Sequence, residues 1–374
     1  MEKRGYTRFE EVYKRFERFC TLSFQEGCTM LPGERELAEK FGVSRLTLRK
    51  AIEMAENSRL IEREGRRAAI LPNRTLRSCG EILFITPNSC ENVLSPAFER
   101  LWLILKPMIE NLGGDLKLFV DTPETSMEQF CSVCERAGVI LISHLGGGVS
   151  SYCRKYEFLR KLRSKKKIIP LSDPYLEAFE YCAALDNRGA GEVAGRALAA
   201  AGCRKVLVLG ILCYPEWDSE KLKVFGRQHA IFAKRLAGFT DTFPGEIRNY
   251  PRVPEGAWDD YIARDMDQIE CAYRDGFDGV FIATDENTPR LTAPILSRGI
   301  VPERFKIITV HGAGDGMECI LPLTSVSHST GGVAAGAVEL LKQFSRGVKP
   351  PQPRILVRPE LYLNKTIGEV KLCD

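Results

Sequence analysis

One stretch of this chain constrains its fold more than any other. Residues 31–67 read LPGERELAEKFGVSRLTLRKAIEMAENSRLIEREGRR. Apolar residues recur at helical spacing on both sides of Gly42, which supplies a tight turn, and a short segment centred on Gly65 follows. The pattern predicts two helices joined by a turn and then a two-stranded wing, with a small core formed by Leu37, Ala38, Phe41, Leu48 and Ile52.

The second of these helices carries the residues that indicate a function. Ser44 is a natural N-cap, and the first turns hold hydroxyl and basic side chains: Ser44, Arg45, Thr47, Arg49 and Lys50. A helix-turn-helix places this end of its second helix in the DNA major groove. Arginine can pair with guanine there, whereas hydroxyls and lysine mostly hold phosphates. An ordinary solvated helix face is the alternative, but the spacing over the whole stretch is more specific than a basic patch.

The stretch resembles the winged helix-turn-helix domain of the GntR family, whose pattern is close to L-P-S-E-R-E-L-A, V-S-R-x-T-V-R-x-A and L-I-x-R-x-x-G-x-G. The resemblance implies DNA contacts for Arg35, Ser44, Arg45, Thr47, Arg49 and Gly65. To these we add Lys50 and the wing residues Arg66 and Arg67. The chain departs from the pattern at three positions. Gly33 replaces the serine that caps the first of the two helices, and Arg59 and Arg67 stand where glycine is usual.

The charge distribution agrees with a DNA-binding N-terminal region. Residues 1–79 hold 17 Lys+Arg against 12 Asp+Glu, a net charge of +5. The rest holds 36 against 37, a net charge of −1, out of totals of 53 and 49. Positive charge in one region is expected where phosphates bind. A chain of 374 residues is also too long for this module alone, so two or more domains are expected.

Cysteine use and the absence of targeting signals favour a cytoplasmic protein. The 13 cysteines show no repeating framework, and the one close pair is Cys131 and Cys134. A zinc site would need a second ligand pair, so buried helix cysteines are the better interpretation. The N-terminus is too charged for a secretory signal, and no apolar run reaches the roughly 18 residues of a membrane span.

From Glu81 onward, short apolar runs alternate with amphipathic helices. EILFITP, DLKLFV, VILIS, KIIPLSD, KVLVLG, DGVFIAT and FKIITV read as strands. Such alternation predicts parallel sheets with helices on both faces, and the length suggests two lobes. We therefore predict an α/β chain with a DNA-binding domain at 1–71, a linker at 72–80 and a two-lobed effector-binding and dimerisation domain at 81–374.

The body resembles LacI-type regulators. AALDNRGAGEVAGRALAAAGCRKVLVLG (183–210), FDGVFIATDE (277–286) and LTSVSHSTGGVAAGAVELL (323–341) carry the likeness. It implies a two-lobed periplasmic-binding-protein-like fold with three crossover strands and a small-molecule effector in the cleft. A GntR-type winged helix on a LacI-type body is the arrangement of arabinose-repressor-like regulators, which implies a homodimer on a palindromic operator.

The same resemblance points to effector-binding residues. The pattern has an arginine three residues before a glycine, an A-N-D motif, a G-F-D-D loop and an aromatic, which fall on Lys223, Thr284 with Asp285, His311 and Phe98. Asp173 and Asp186 lie near the first crossover and are candidate ligands or structural caps. Lysine in place of arginine loses the planar fork, and histidine in place of aspartate adds a donor. Either the effector is not an ordinary pentose or hexose, or the alignment slips here. Lys223 and His311 as plain surface groups remain the alternative.

These features predict a transcription regulator, a repressor controlled by a sugar or sugar derivative. A regulator that responds to a non-sugar metabolite and a solute-binding protein of the same fold are the alternatives. We do not expect an enzyme, a cofactor or a metal, because the sequence has no P-loop, no G-x-S-x-G elbow and no paired metal motif. The glycine run at 146–148 is typical of a flexible cleft loop.

Overall fold

The computed structural model describes residues 8–25, 28–57, 60–65, 67–71, 75–87, 96–146, 149–172, 178–212, 219–252, 258–283, 288–311, 320–327 and 329–368. Its helices are α1 (Arg8–Gln25), α2 (Glu34–Phe41), α3 (Arg45–Asn57), α4 (Pro96–Glu110), α5 (Met127–Arg136), α6 (Val149–Leu162), α7 (Asn187–Ala200), α8 (Ser219–Thr242), α9 (Trp258–Arg274), α10 (Thr288–Ser297) and α11 (Thr330–Ser345). Its strands are β1 (Ile61–Glu64), β2 (Arg67–Ile70), β3 (Glu81–Pro87), β4 (Asp115–Asp121), β5 (Val139–Ile142), β6 (Lys167–Pro170), β7 (Cys182–Leu185), β8 (Lys205–Leu212), β9 (Glu246–Arg252), β10 (Gly279–Ile282), β11 (Lys306–His311), β12 (Thr324–Ser327), β13 (Arg354–Val357) and β14 (Leu361–Tyr362).

The head, residues 8–71, is a three-helix unit with a wing. The five predicted core residues are all buried, and Phe16 and Cys20 of α1 join them in one apolar cluster. Gly42 ends α2 in the left-handed conformation, with φ 63° and ψ 38°, which supplies the tight turn before α3. The predicted helix-turn-helix is therefore confirmed, and α1 adds a third helix against α3.

The wing is a two-stranded antiparallel sheet that starts directly after α3. Its strands β1 and β2 pair from Ile61 with Ile70 to Glu64 with Arg67, and Gly65 at the turn has φ 66°. The amide of Leu31 donates to the carbonyl of Ala68 at 2.8 Å, so the chain entering α2 is fixed to the wing. This contact sets the wing's position relative to the helix-turn-helix.

Two α/β lobes follow the head. Lobe 1 is built on the parallel sheet β4-β3-β5-β6, next to the parallel pair β13-β7. Lobe 2 is built on the sheet β14-β12-β11-β10-β8-β9, in which β14 is antiparallel to its neighbour. The central strands β3, β5, β8 and β10 are almost continuously buried, as expected for parallel strands covered on both faces. The predicted fold class is confirmed.

The chain passes between the lobes three times. It leaves lobe 1 between β7 and α7, returns between β12 and α11, and leaves again between β13 and β14. The apolar core of lobe 1 accordingly contains Val333 and Leu341 of α11, whereas that of lobe 2 contains Ile367. The three predicted crossovers are present.

The second half of the predicted linker at 72–80 packs on lobe 1. Leu76 is fully buried and Cys79 nearly so, both in the apolar core of that lobe. The Leu76 amide donates to the Leu112 carbonyl at 2.9 Å, and the Ser78 hydroxyl donates to the Ser345 carbonyl at 2.9 Å. Residues 75–80 thus belong to the body, because their apolar side chains are needed in its core.

The close cysteine pair lies on α5. Cys134 is buried and Cys131 is half-buried there, and burial raises the pKa of both thiols. Such thiols are weak nucleophiles and poor metal ligands.

Within the described ranges, no helix combines the length and the apolar character needed to cross a bilayer.

Candidate nucleic-acid interface and ligand cleft

The N-terminal turn of α3 is organised by Ser44. Its hydroxyl oxygen accepts a hydrogen bond from the Thr47 amide at 3.2 Å and lies 2.8 Å from the Thr47 hydroxyl. Ser44 is therefore the N-cap, as predicted. Capping holds the first turn in helical geometry and leaves two hydroxyls beside the positive end of the helix dipole, where a phosphate is stabilised.

Four exposed basic side chains of the head lie on α2 and α3 near this turn. Arg45, Arg49 and Lys50 are exposed on α3, and Arg35 is exposed on α2. Arg49 forms an ion pair with Glu34 at 2.8 Å, and Arg35 forms one with Glu39 at 3.3 Å. Exposed pairs of this kind are worth at most about 1 kcal/mol. Both guanidinium groups can therefore exchange a carboxylate for a DNA phosphate.

The wing is held to the recognition helix, but its tip is only partly described. Arg63 of β1 forms an ion pair with Glu56 of α3 at 2.7 Å. Gly65 occupies the left-handed region that favours glycine. Arg66 and Arg59 lie outside the described residues, and of Arg67 only the backbone is described. The described support for DNA contacts by the wing is therefore the turn at Gly65 and the ion pair that holds β1 against α3.

In lobe 1, two aromatic rings lie at the carboxyl ends of neighbouring strands. Phe98 is in the first turn of α4, and its ring stacks on that of His144, with centroids 6.5 Å apart and planes 15° apart. His144 follows β5 and also contacts the Tyr152 ring, at 6.1 Å. Burial lowers the pKa of His144 to about 4, so its imidazole is neutral at neutral pH. Open α/β sheets bind ligands at this edge. The sequence alone does not identify His144, whose only signal there is its place directly after the VILIS strand.

The loop that carries His144 is held by a buried ion pair. Lys155 of α6 and Asp121 at the end of β4 are both fully buried, with their charged atoms 2.5 Å apart. The other Asp121 oxygen accepts the Gly146 amide at 2.8 Å. A Cβ atom at Gly146 would lie 2.0 Å from the Asp121 carbonyl oxygen. Gly146 is therefore glycine because two backbones meet there, and the expectation of a flexible loop stays a prediction. Gly147 and Gly148 lie outside the described residues.

In lobe 2, a buried arginine occupies the corresponding edge. Arg235 of α8 is 6% exposed; its Nε donates to Asn187 Oδ1 at 2.8 Å, and its Nη1 donates to the Ala283 carbonyl. Asn187 begins α7 and Ala283 follows β10, so both stand at the carboxyl ends of strands. A buried arginine is a common way to hold hydroxyl or carboxylate groups of a ligand.

Helix packing explains why Arg235 stands at this edge. A Cβ atom at Gly238 would lie 2.0 Å from the Arg188 carbonyl oxygen, and one at Gly191 would lie 1.9 Å from the Arg235 carbonyl oxygen. These glycines let α8 run against the start of α7. Arg235 is three residues before Gly238, the same spacing that placed the sugar-binding position on Lys223 before Gly226. Within α8 this spacing occurs twice, so the sequence pattern alone does not distinguish Arg235 from Lys223.

The other predicted cleft residues are described in part or not at all. Asp173, Thr284 and Asp285 lie outside the described residues. Lys223 is on α8 and His311 ends β11, but their side chains are not described. Asp186 caps α7 by accepting the Gly189 amide at 3.0 Å. The structural role proposed for Asp186 is confirmed.

Comparison with protein families gives two matches. Residues 24–71 match "Bacterial regulatory proteins, gntR family", and residues 196–367 match "Periplasmic binding protein-like domain". The first match covers the helix-turn-helix and the wing, and the second covers most of lobe 2 together with α11 and β13. A comparison with curated proteins finds no match.

Solved structures share the fold at low sequence identity. A transcription regulator GntR from Chromobacterium violaceum is 20% identical with a TM-score of 0.55, covering 77% of this chain and 100% of its own. A periplasmic binding protein/LacI transcriptional regulator from Alkaliphilus metalliredigens, complexed with D-xylulofuranose, is 16% identical with a TM-score of 0.52, covering 77% and 99%. A LacI family regulator from Arthrobacter sp. FB24, in complex with lactose, is 15% identical with a TM-score of 0.54, also covering 77% and 99%.

Proposed function

We propose that this transcription regulator is a repressor whose operator affinity is controlled by a sugar or sugar derivative. The proposal is supported by the combination of a GntR-type helix-turn-helix domain and a periplasmic-binding-protein-like domain in one chain. The effector binds between the lobes, and the protein acts in the cytoplasm as a homodimer on a palindromic operator. A two-fold dimer would present two recognition helices to two half-sites.

The capped N-terminus of α3 is the observation that carries DNA binding. Ser44 and Thr47 offer hydroxyls at the helix end, and Arg45, Arg49 and Lys50 are exposed beside them. This arrangement supports the assignment of the predicted DNA-binding residues. It also explains why the head holds the positive charge of the chain.

A sugar effector is supported by the two groups at the cleft edges. Lobe 2 offers the Arg235 guanidinium with its fixed amide and carbonyl partners, and lobe 1 offers the Phe98 ring. Guanidinium groups bind vicinal hydroxyls, and aromatic faces pack against the apolar face of a sugar ring. Phe98, Asp173, Lys223, Thr284, Asp285 and His311 remain proposed ligands, and we add Arg235 and His144.

A thermal-shift screen of the full chain against monosaccharides, uronic acids and sugar phosphates tests the effector proposal. A ligand at 100 times its Kd adds about 2.7 kcal/mol of stability and raises the melting temperature. The shift should disappear in Arg235→Ala and persist in Arg204→Ala, which removes an exposed arginine at the opposite end of β8. A response to non-sugar metabolites alone would replace the sugar with that class of effector.

A further inference from the structure

One apolar side chain interrupts the basic face of the recognition helix. Leu46 is 69% exposed, the most exposed of the large apolar side chains in the described part of the head. It is the second residue of α3, between Arg45 and Thr47. The face that α3 buries consists of Leu48, Ala51, Ile52 and Ala55. Leu46 lies on the other side of the helix and takes no part in the core.

The neighbours of Leu46 place it where a recognition helix meets the bases. Residues three and four positions along a helix share a face, so Leu46 stands beside Arg49 and Lys50. Both are exposed and basic. In a helix-turn-helix, side chains in this first turn reach base edges, while the basic residues around them anchor phosphates. An apolar side chain there can gain only from an apolar partner in the groove.

The major groove offers one such partner. Of the groups that the four bases expose there, the 5-methyl group of thymine is the largest apolar one. We propose that Leu46 packs on a thymine methyl group next to the base that Arg45 reads, so that each operator half-site has a required thymine at that step. This inference rests on the proposed DNA-binding function and adds a base preference to it.

Replacing thymine by uracil removes this methyl group and changes nothing else on the base edge. Duplexes would first be selected from a random pool with the full chain. Each thymine in the selected half-site would then be replaced singly by deoxyuridine, and affinity measured by fluorescence anisotropy. We expect one position per half-site to lose affinity about fourfold, the amount that follows from burying one methyl group.

Leu46→Ala separates a base contact from other effects. It should lose affinity for the thymine duplex by a similar factor or more, and should bind the thymine and uracil duplexes equally. Its melting temperature should be unchanged, because Leu46 is outside the core. Leu22→Ala removes another exposed leucine, 46% exposed on α1, and should keep the full response to uracil.

The outcomes separate this inference from the function on which it rests. If the full chain selects no duplex, both fail. If it selects an operator and Arg45→Ala alters the selected sequence, but no uracil substitution changes affinity, only the thymine contact is refuted. A uracil effect that persists unchanged in Leu46→Ala would also refute it, because another group would then touch the methyl.

Discussion

At the scale of single residues, Arg45 and Lys50 differ in what they can read from DNA. Both are exposed on α3. Arginine presents a planar fork that pairs with guanine O6 and N7, whereas lysine is a point charge suited to phosphates. The two side chains should therefore make different contributions to specificity.

We expect Arg45→Ala to cost about 1–3 kcal/mol of operator binding and to relax the preference at one base position. Lys50→Ala should lower the affinity for all duplexes about equally. It should also reduce the slope of log affinity against log salt concentration by about one. Affinities for an operator and an unrelated duplex at several salt concentrations would show the difference. Unchanged operator affinity in both variants would contradict the assignment of α3 as the recognition helix.

His144 should make stability depend on pH. Its pKa is lowered from 6.5 to about 4 by burial, so the unfolded chain binds a proton that the folded protein does not. The free energy of unfolding is therefore unaffected by the titration of His144 above pH 6.5, and it decreases as the pH falls from 6.5 to about 4. Between pH 7.5 and 5, His144→Phe should lose about 1–2 kcal/mol less stability than the parent protein, measured by urea unfolding. Equal losses in both proteins would show that the imidazole is protonated in the fold.

At the scale of elements, the contact between α7 and α8 depends on glycine. Gly238 has no space for a side chain, because its Cβ atom would meet the Arg188 carbonyl oxygen at 2.0 Å. Gly238→Ala should therefore push the helices apart and destabilise the protein by about 1–3 kcal/mol. Gly331→Ala on α11 is the matched control, since nothing lies within 4 Å of its Cβ position. Chemical denaturation of both variants tests this; equal stability would mean that α8 shifts at no cost.

The buried pair of Asp121 and Lys155 should be necessary as a pair. Lys155→Met leaves a buried carboxylate without its cation and should cost about 3–5 kcal/mol. Asp121→Asn combined with Lys155→Met should cost less, because an asparagine oxygen can still accept the Gly146 amide. Unfolding free energies of the two single variants and the double variant measure this coupling. Additive losses would refute it.

Much of this architecture could be predicted from the sequence because its signals are local. The strand at 81–87 and the helix-turn-helix follow from apolar periodicity and from the capping residues Ser44 and Gly42. The sequence cannot decide between Arg235 and Lys223 as the sugar-binding position, because each stands three residues before a glycine. Only the packing of Gly238 on α7 places Arg235 at the cleft edge. The burial of Leu76 cannot be predicted locally for a similar reason, since its partners come from distant segments.

At the scale of the whole molecule, the connection between head and body is short. Leu71 still belongs to the head, where its amide donates to the Leu60 carbonyl at 2.9 Å, and Leu76 is already buried in lobe 1. Few residues separate these anchors. Lobe 1 also exchanges the chain with lobe 2 at three crossovers. In the proposed function, an effector-driven closure that turns lobe 1 would therefore also turn the head. For the proposed function, this short connection is the route by which an effector would act on operator affinity.

The coupling should be reciprocal and should depend on that short connection. If the effector changes operator affinity by a coupling of about 1–3 kcal/mol, the operator must change effector affinity by the same factor. Calorimetric titration of the sugar found in the screen, with and without operator duplex, measures it. A flexible Gly/Ser insertion of about eight residues after Pro72 should leave both individual affinities in place and reduce the coupling. Equal effector affinities with and without operator in the parent chain would refute allosteric control. Full coupling in the insertion variant would show that the signal reaches the head by another path.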